Sequence, residues 1–402
     1  MRNVGIIGTG QTQFVKTRTD VTYPELVREG ADLALANAGV TMSDVDAVVF
    51  PLAPDALIGV SNGERWCIEA LGAQGKPFMR VNTGGATGLT AVQAGYMHVA
   101  SGMFDVVLVA GADRVSESNS AQSVLNKMWD VAYERLYPLN TITMLALSAQ
   151  RYNDKYGADE RDMARVTVKN RRHAALNPHA HLRTPISEEE VLQTRMLSWP
   201  LRLGNLCPSS TGAAAVVLVS EDVARRAGKP VAWIRGIGQN SETFWMGDRV
   251  GPKATGDHAD ADALEEAIVR AYGQAGVTDP RAQIDVAELY APFSSVELHA
   301  IEAAQFCDKG ESFRRIADGD FALGAEAGIQ GPVVNPSGGT LCTNPIAVTG
   351  LVRAAEVALQ VTGRAGDRQV DDADVGLATA IGGDHQFYAS MVLANHLEEI
   401  AR

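Results

Sequence analysis

The chain has 402 residues, 46% hydrophobic and 21% charged, a composition typical of a globular protein with a large buried core. Its 35 basic and 48 acidic residues give a formal net charge of −13, which argues against nucleic acid as a main partner because phosphate binding needs a positive field. Four cysteines without a CxxC pair, no leader-like N-terminus and no run approaching ~18 apolar residues predict a cytoplasmic protein without a membrane span: Cys67, Cys207, Cys307 and Cys342.

Short Val- and Ile-rich runs alternate with Ala-rich helical stretches along the chain, which is typical of an α/β fold. Several runs are apolar throughout, as expected of strands covered by helices on both faces. The pattern predicts these strands: Val4–Ile7, Ala47–Phe50, Phe78–Asn82, Val106–Gly111, Ala214–Val219, Val231–Gly238, Val286–Tyr290, Val375–Ala380 and Tyr388–Ala394.

Two segments interrupt this alternation. Residues from about 116 to 206 carry many charges and prolines, and we interpret them as an insertion lying over the first half, with an exposed helical stretch at 148–178. His179 and His181 within it are expected to be solvated, and the histidines of the chain show no metal-ligand spacing. The polar segment Trp245–Asp262 predicts a loop near the mouth of a site.

The two halves of the chain repeat one pattern. Residues 81–89 contain Val-Asn, two glycines and Thr-Gly-Leu, and an Ala-rich helix and a strand at 105–113 follow. Residues 334–351 contain the same elements in the same order, and an Ala-rich helix and a strand at 374–384 follow. We interpret the repeat as a duplicated α/β unit.

Six blocks in this order resemble the thiolase superfamily, and within it the sterol-carrier-protein type. They read VGIIGTGQTQF, VNTGGATGLTAVQAGYMHVASGMFDVVLVAGADR, CPSSTGAAAVVLVSEDVA, VAELYAPFSSVELHA, VVNPSGGTLCTNPIAVTG and LATAIGGDHQFYASMVL. The resemblance implies a thiolase fold: two similar halves, 1–225 and 226–402, in a five-layer α-β-α-β-α arrangement. It also implies a homodimer through the first half, and a loop domain at about 116–206 that helps bind coenzyme A.

Three side chains of the family's thiolytic site are replaced in this sequence. The nucleophilic cysteine of the Val-Asn-x-x-Cys-Ala-x-Gly pattern is Gly85, which cannot form a thioester. The histidine of the His-Asp-Cys-Phe block is Tyr290, whose phenol can donate a hydrogen bond or shuttle a proton, although a tyrosine at a strand end is often only a packing residue. The histidine of the Gly-His-Pro block is Asn344, which can donate a hydrogen bond but cannot act as a base.

Other residues near these blocks are candidates for the same site. The backbone at Gly85 and Gly383 is expected to approach a thioester oxygen. His385 is either a proton-transfer group or a surface-loop histidine. Cys342 is either a displaced nucleophile or a small buried residue.

Retained glycines around three altered side chains suggest a coenzyme A thioester pocket with new chemistry. The replacements resemble the lipid-transfer-protein-type aldolases of steroid side-chain degradation. That resemblance implies retro-aldol cleavage of a β-hydroxyacyl-CoA, no tightly bound cofactor or metal, and a small OB-fold, zinc-ribbon partner that forms a heterotetramer. A second tyrosine that such aldolases tend to carry is absent here, where Asn344 stands. Three alternatives remain open: an acyltransferase with a displaced nucleophile, another reaction through the same enolate, and a non-catalytic acyl-CoA-binding subunit.

Overall fold

The computed structural model describes residues 1–117, 120–243, 246–249, 256–324, 331–383 and 385–400. The strands are β1 (Val4–Gln11), β2 (Ala47–Pro51), β3 (Phe78–Val81), β4 (Val106–Arg114), β5 (Met196–Ser198), β6 (Leu201–Arg202), β7 (Thr211–Ser220), β8 (Ala232–Ser241), β9 (Val286–Glu288), β10 (Val333–Val334), β11 (Val375–Gly382) and β12 (Phe387–Ala394). The helices are α1 (Tyr23–Ala38), α2 (Glu64–Ala70), α3 (Thr87–Ala100), α4 (Ala121–Leu125), α5 (Thr141–Tyr156), α6 (Glu160–Ala175), α7 (Glu188–Gln193), α8 (Glu221–Ala227), α9 (Asp262–Ala275), α10 (Pro280–Gln283), α11 (Ser294–Ala303), α12 (Ser312–Ala317), α13 (Gly339–Cys342) and α14 (Thr349–Val361).

The sheet has the symmetry that the sequence repeat predicts. Its strand order is β10-β9-β11-β12-β8-β1-β7-β4-β2-β3, so each half contributes five adjacent strands. Read outward from the centre, both halves show two antiparallel pairings and then two parallel ones. The halves meet where β1 pairs with β8 over only two residue pairs, Gly5 with Trp233 and Ile6 with Ala232. Two copies of one α/β unit, joined at a short seam, explain this order.

Two buried helices form the layer between the halves. The helices α3 and α14 pack on each other and on strands of both halves, while α1 covers the outer face of the first half and α9 that of the second. The Thr-Gly-Leu repeats mark the crossing of α3 and α14. A Cβ atom on Gly88 would overlap the backbone nitrogen of Leu351, and one on Gly350 would lie 2.6 Å from the backbone nitrogen of Leu89. The repeated glycines are therefore needed for the close approach of the two helices.

The expected strands are all present, with shifted ends. Strand β9 stops at Glu288, so Tyr290 lies in the segment that follows the strand. The sequence pattern missed β10 and the small β5–β6 pair because each has only two or three residues. Among the described residues, no helix combines the length and the hydropathy that crossing a bilayer requires.

The inserted segment differs from expectation in two ways. Its helical stretch is two helices, α5 and α6, separated near Gly157, which has a φ of 81°. These helices pack on α11, α12 and α13 of the second half, so the expectation that the insertion lies over the first half was wrong for them. The expectation of an exposed stretch was wrong for α6, because Lys169 lies 3.0 Å from Glu297 in an ion pair within the core. Lys169 on α6 therefore serves internal pairing.

The polar segment Trp245–Asp262 lies only partly within the described residues. Trp245 and residues 250–255 lie outside them. Residues 246–249 form one 3₁₀ turn, and residues 256–261 are irregular, as a loop predicts.

The crossing of α3 and α14 yields a stability prediction. We expect Gly88→Ala to lower the free energy of unfolding by about 1–3 kcal/mol, because the added methyl group overpacks a helix–helix contact made of backbone atoms. The matched control is Gly273→Ala in α9, where an added Cβ has no atom within 4 Å. That change should be neutral or should stabilise by up to about 1 kcal/mol. Urea unfolding of both variants checks the difference, and equal effects would contradict the close packing inferred at the crossing.

Candidate active site

A cavity of about 540 Å³ lies where the segments after β9 and β11 meet the loop before α3. All five residues that the sequence assigned to the site line this cavity: Gly85, Tyr290, Asn344, Gly383 and His385. They come from both halves of the chain, and Asn344 lies between α13 and α14. The structure thus brings the predicted residues together, while their chemical roles stay predictions.

The hydroxyl group of Tyr290 lies directly against Gly85. A Cβ atom built on Gly85 would be 2.5 Å from the Tyr290 hydroxyl oxygen and 2.5 Å from the carbonyl oxygen of Ile381. No side chain fits at position 85 with Tyr290 in this place, because real Cβ atoms do not approach other atoms so closely. The Tyr290 hydroxyl and the Ile381 carbonyl therefore both occupy the space that a side chain at position 85 would need.

Side chains of neighbouring loops hold the backbone around Tyr290. The amide of Leu289 donates to Asn335 Oδ1 at 2.8 Å, and the amide of Tyr290 donates to Thr379 Oγ1 at 3.0 Å. Asn335 itself has a φ of 56° and donates to the buried carboxylate of Glu297 at 2.7 Å. After β9 ends at Glu288, side-chain hydrogen bonds thus take the place of strand pairing and hold the backbone of Leu289 and Tyr290 in position.

Tyr290 is buried, and this burial raises the pKa of its phenol, with smaller electrostatic contributions from Cys207 and Asp113 in the same direction. The phenol is therefore protonated at every physiological pH. In this state it can donate a hydrogen bond or a proton but is a poor base.

Asn344 forms a hydrogen bond with Cys207, a residue that the sequence analysis did not assign to the site. The Asn344 side-chain amide donates to the sulfur of Cys207 at 3.0 Å, and its oxygen accepts from Thr349 Oγ1 at 2.9 Å. Cys207 lines the cavity, and its own amide donates to the carbonyl of Pro292 at 2.9 Å. The sequence signal for Cys207 was its place at the start of the block CPSSTGAAAVV. In the structure this block begins beside the Tyr290 block, where Leu206 and Phe293 form a β-bridge.

The Cys207 thiol is not activated. Burial raises its pKa to about 11, and the hydrogen bond from Asn344 offsets only part of this effect. A nucleophilic cysteine needs its thiolate near neutral pH. Cys207 is thus a neutral thiol under physiological conditions.

His385 lies in the turn between β11 and β12, lines the cavity and is half-buried, so its place is compatible with a proton-transfer group. Its φ is 54°, in the left-handed region. Burial, with smaller contributions from Arg249, His299 and His258, lowers the pKa of His385 to about 3. The imidazole is therefore neutral at physiological pH, with one nitrogen able to accept a proton and the other able to donate one.

The remaining candidates lie away from the cavity. Cys342 is fully buried against Ala174 and Ala180, and burial raises its pKa to about 12. Its interpretation as a displaced nucleophile is contradicted by this position. His181 is half-buried and lies 3.0 Å from Ser210 Oγ, and His179 is also half-buried, so the expectation that both are solvated was wrong. Within the described ranges, no three His, Cys, Asp or Glu residues are grouped as a metal ion requires.

The rest of the cavity wall is mainly apolar. Polar exceptions on the insertion are Gln122, Lys127 and Thr141. The apolar lining residues include Val115, Val124, Leu125, Met128, Ile142, Met144, Leu145, Leu206, Phe293 and Ile346. Such a wall suits a bulky apolar group with a few polar contacts for orientation.

Family models match most of the chain. The thiolase N-terminal domain matches residues 4–191, and the thiolase C-terminal domain-like family matches residues 253–395. The chain belongs to the thiolase superfamily. This membership confirms the predicted fold class. The two matching strand orders are the two similar halves of the fold, and α3 and α14 form the layer between them.

Known relatives of this thiolase-superfamily chain differ in their activities. An acetyl-CoA acetyltransferase of Methanothermobacter thermautotrophicus is 32% identical over 95% of this chain and 97% of its own length. Sterol carrier protein 2 of Oryctolagus cuniculus is 30% identical over 94% of this chain and 70% of its own length. The solved structure of the Ltp2-ChsH2(DUF35) aldolase has a TM-score of 0.80 and 28% identity, covering 98% of this chain and 97% of that one.

The contact between Gly85 and Tyr290 yields a second prediction. We expect Gly85→Ala to destabilise the protein by about 1–3 kcal/mol, because the new methyl group overlaps the tyrosine hydroxyl and a backbone carbonyl. In a Tyr290→Ala background the same change should cost less, with a coupling energy of about 0.5–3 kcal/mol. A double-mutant cycle of unfolding free energies measures the coupling. Additive costs would show that the two positions do not share this space.

Proposed function

We propose that this protein is a carbon–carbon lyase that cleaves a β-hydroxyacyl-CoA by a retro-aldol reaction, without an acyl-enzyme. The observation that carries the proposal is the Tyr290 hydroxyl lying against Gly85, in the space that a nucleophilic cysteine needs. A proton donor has replaced a nucleophile while the surrounding glycine backbone remains. Acyl transfer through position 85 is thereby lost, and enolate chemistry is retained.

The reaction needs a proton acceptor, a place for negative charge and a proton donor. In our mechanism the neutral imidazole of His385 accepts the proton of the substrate's β-hydroxyl group. The Cα–Cβ bond breaks, its electron pair passes to the thioester as an enolate, and a ketone or aldehyde is released. Backbone at Gly85 and Gly383 and the Asn344 amide hold the enolate oxygen.

Protonation of Cα then completes a shorter acyl-CoA. Tyr290 donates this proton, and His385 returns the proton it took to the phenolate. The raised pKa of Tyr290 and the lowered pKa of His385 both favour this return, because burial disfavours phenolate and imidazolium alike. The site ends the cycle in its starting protonation state.

The cavity supports a bulky acyl group. Its volume of about 540 Å³ and its aliphatic and aromatic wall suit a steroid side chain or a group of similar size. We propose that the coenzyme A portion is bound as part of the substrate, with Lys127 near its phosphates. The Ltp2-ChsH2(DUF35) aldolase, similar over 98% of this chain, supports this class of reaction.

Association with other chains is part of the proposal. The similar aldolase joins Ltp2 to a second component, ChsH2(DUF35), which supports a partner protein for this chain. We propose that this partner is a small OB-fold, zinc-ribbon protein and that the complex is a cytoplasmic heterotetramer. Strand β3 ends the sheet, and Met79 on it and Trp66 on α2 are 37% and 48% exposed. An open strand edge with apolar neighbours supports a homodimer through the first half.

A second candidate function rests on Cys207. Its thiol lines the cavity beside Asn344, and the acetyltransferase relative matches 95% of the chain. An acyltransferase would use this sulfur as the nucleophile in place of a cysteine at position 85. The raised pKa of Cys207 makes this the weaker candidate.

Two conservative variants separate the candidates. We expect Tyr290→Phe to lower kcat for cleavage of a β-hydroxyacyl-CoA by about 10²-fold or more, because it removes the proton donor but keeps the ring. Cys207→Ala should retain cleavage within about threefold. The assay follows ketone or aldehyde release by the full chain, purified together with any partner that binds it. The opposite pattern would favour the acyltransferase, and thioester binding without turnover would contradict both enzymatic functions.

A further inference from the structure

A second, smaller cavity lies behind His385. Its volume is about 60 Å³, and His385, Ile381 and Met144 line both cavities. Its other walls come from α5, α11 and the irregular segment 256–261, which supply Ser148, His299 and His258. His385 therefore stands between the reaction pocket and a second space, lined by both polar and apolar side chains, with room for several water molecules.

His299 on α11 faces this space. It is 4% exposed, and its ring packs at 4.8 Å from the ring of Tyr152. Its Nε2 atom is buried and has no hydrogen-bond partner in the described part of the chain. An unpaired buried nitrogen destabilises the folded protein, so water or another donor or acceptor in the cavity is expected to bind it.

The small cavity continues toward the protein surface. Asp260 lines it, accepts a hydrogen bond from Tyr156 at 2.6 Å and lies 2.9 Å from the ammonium of Lys155, whose side chain is 30% exposed. His258 and Asp257 lie on the same wall. Groups able to exchange protons, from His385 and His299 to residues in contact with solvent, thus line one cavity.

We propose that His299, together with water in this cavity, carries protons between His385 and solvent. The inference rests on the proposed lyase function, because it assigns a route for the proton that His385 handles. A neutral imidazole accepts a proton at one nitrogen and releases one from the other, so the relay changes no net charge. Burial lowers the pKa of His299 to about 4, which keeps this ring neutral and able to pass protons in either direction.

The relay matters for exchange with solvent more than for cleavage. Cleavage moves one proton from the β-hydroxyl group to Cα and needs no net proton from outside. Exchange of the Cα hydrogen of a thioester with D₂O does need solvent: a proton passes from Cα to Tyr290 as the Tyr290 proton passes to His385, which leaves the enolate. His385 then exchanges its proton for a deuteron through the relay, and the deuteron reaches Cα by the reverse transfers in a later cycle. The ratio of the exchange rate to the cleavage rate therefore reports on the relay.

The test compares His299→Phe with wild type in the full chain, prepared as for the cleavage assay. Phenylalanine keeps the ring beside Tyr152 and removes both nitrogens. Propionyl-CoA in D₂O serves as the exchange probe, read by mass spectrometry, and β-hydroxyacyl-CoA cleavage is measured in parallel. We expect the ratio of exchange to cleavage to fall at least tenfold, whereas Val296→Ala, a change in the same cavity wall, should keep the ratio within twofold.

The outcomes separate the relay from the lyase. An unchanged ratio, or an equal fall of both rates, in His299→Phe and in His299→Gln overturns the relay, and the Gln variant provides this answer if the Phe variant does not fold. If wild type exchanges the Cα hydrogen but cleaves no β-hydroxyacyl-CoA, and the exchange rate falls tenfold in the variant, the result supports the relay and overturns the lyase. Neither exchange nor cleavage by wild type overturns both.

Discussion

The site is organised by the exclusion between a side chain at position 85 and the hydroxyl of Tyr290. The two groups compete for one small space, which the carbonyl of Ile381 closes from a third side. A side chain at position 85 would overlap both the Tyr290 hydroxyl and the Ile381 carbonyl, so it cannot be accommodated without moving backbone. Tyr290 in this place, together with the Ile381 carbonyl, excludes a side chain at position 85 and leaves a buried, protonated donor beside the backbone of Gly85. The chemistry proposed for the cavity follows from that single choice.

Buried charges fix the surroundings of Tyr290. Glu288, at the end of β9, pairs with Arg353 of α14, and both side chains are almost completely buried. Glu297 binds Lys169 and Asn335, which ties the insertion to the segment that carries Tyr290. Replacing such pairs by apolar residues is often neutral for stability, whereas removing one partner is costly. We therefore infer that these pairs serve to position the segments around Tyr290. The insertion is thereby held on the second half, where it completes the cavity wall.

Much of the fold was predictable because its signals are local or repeated. Apolar runs predicted the long strands, and the duplicated Val-Asn and Thr-Gly-Leu patterns predicted the two similar halves. The five site residues were predictable from the resemblance to the thiolase family, because its motifs could be matched to this sequence residue by residue. Cys207 was missed because its approach to Asn344 depends on a contact between distant segments. The burial of α6 was missed because Lys169 has its partner, Glu297, in the other half of the chain.

This thiolase-superfamily chain is proposed to act on acyl-CoA without a covalent acyl-enzyme. Intact-protein mass spectrometry during turnover of a β-hydroxyacyl-CoA, quenched in acid to preserve thioesters, tests this claim most directly. We predict that the protein mass stays at that of the unmodified chain while the ketone or aldehyde accumulates. A mass increase equal to the acyl group, mapped to Cys207 or any other cysteine and formed at the rate of turnover, would contradict it.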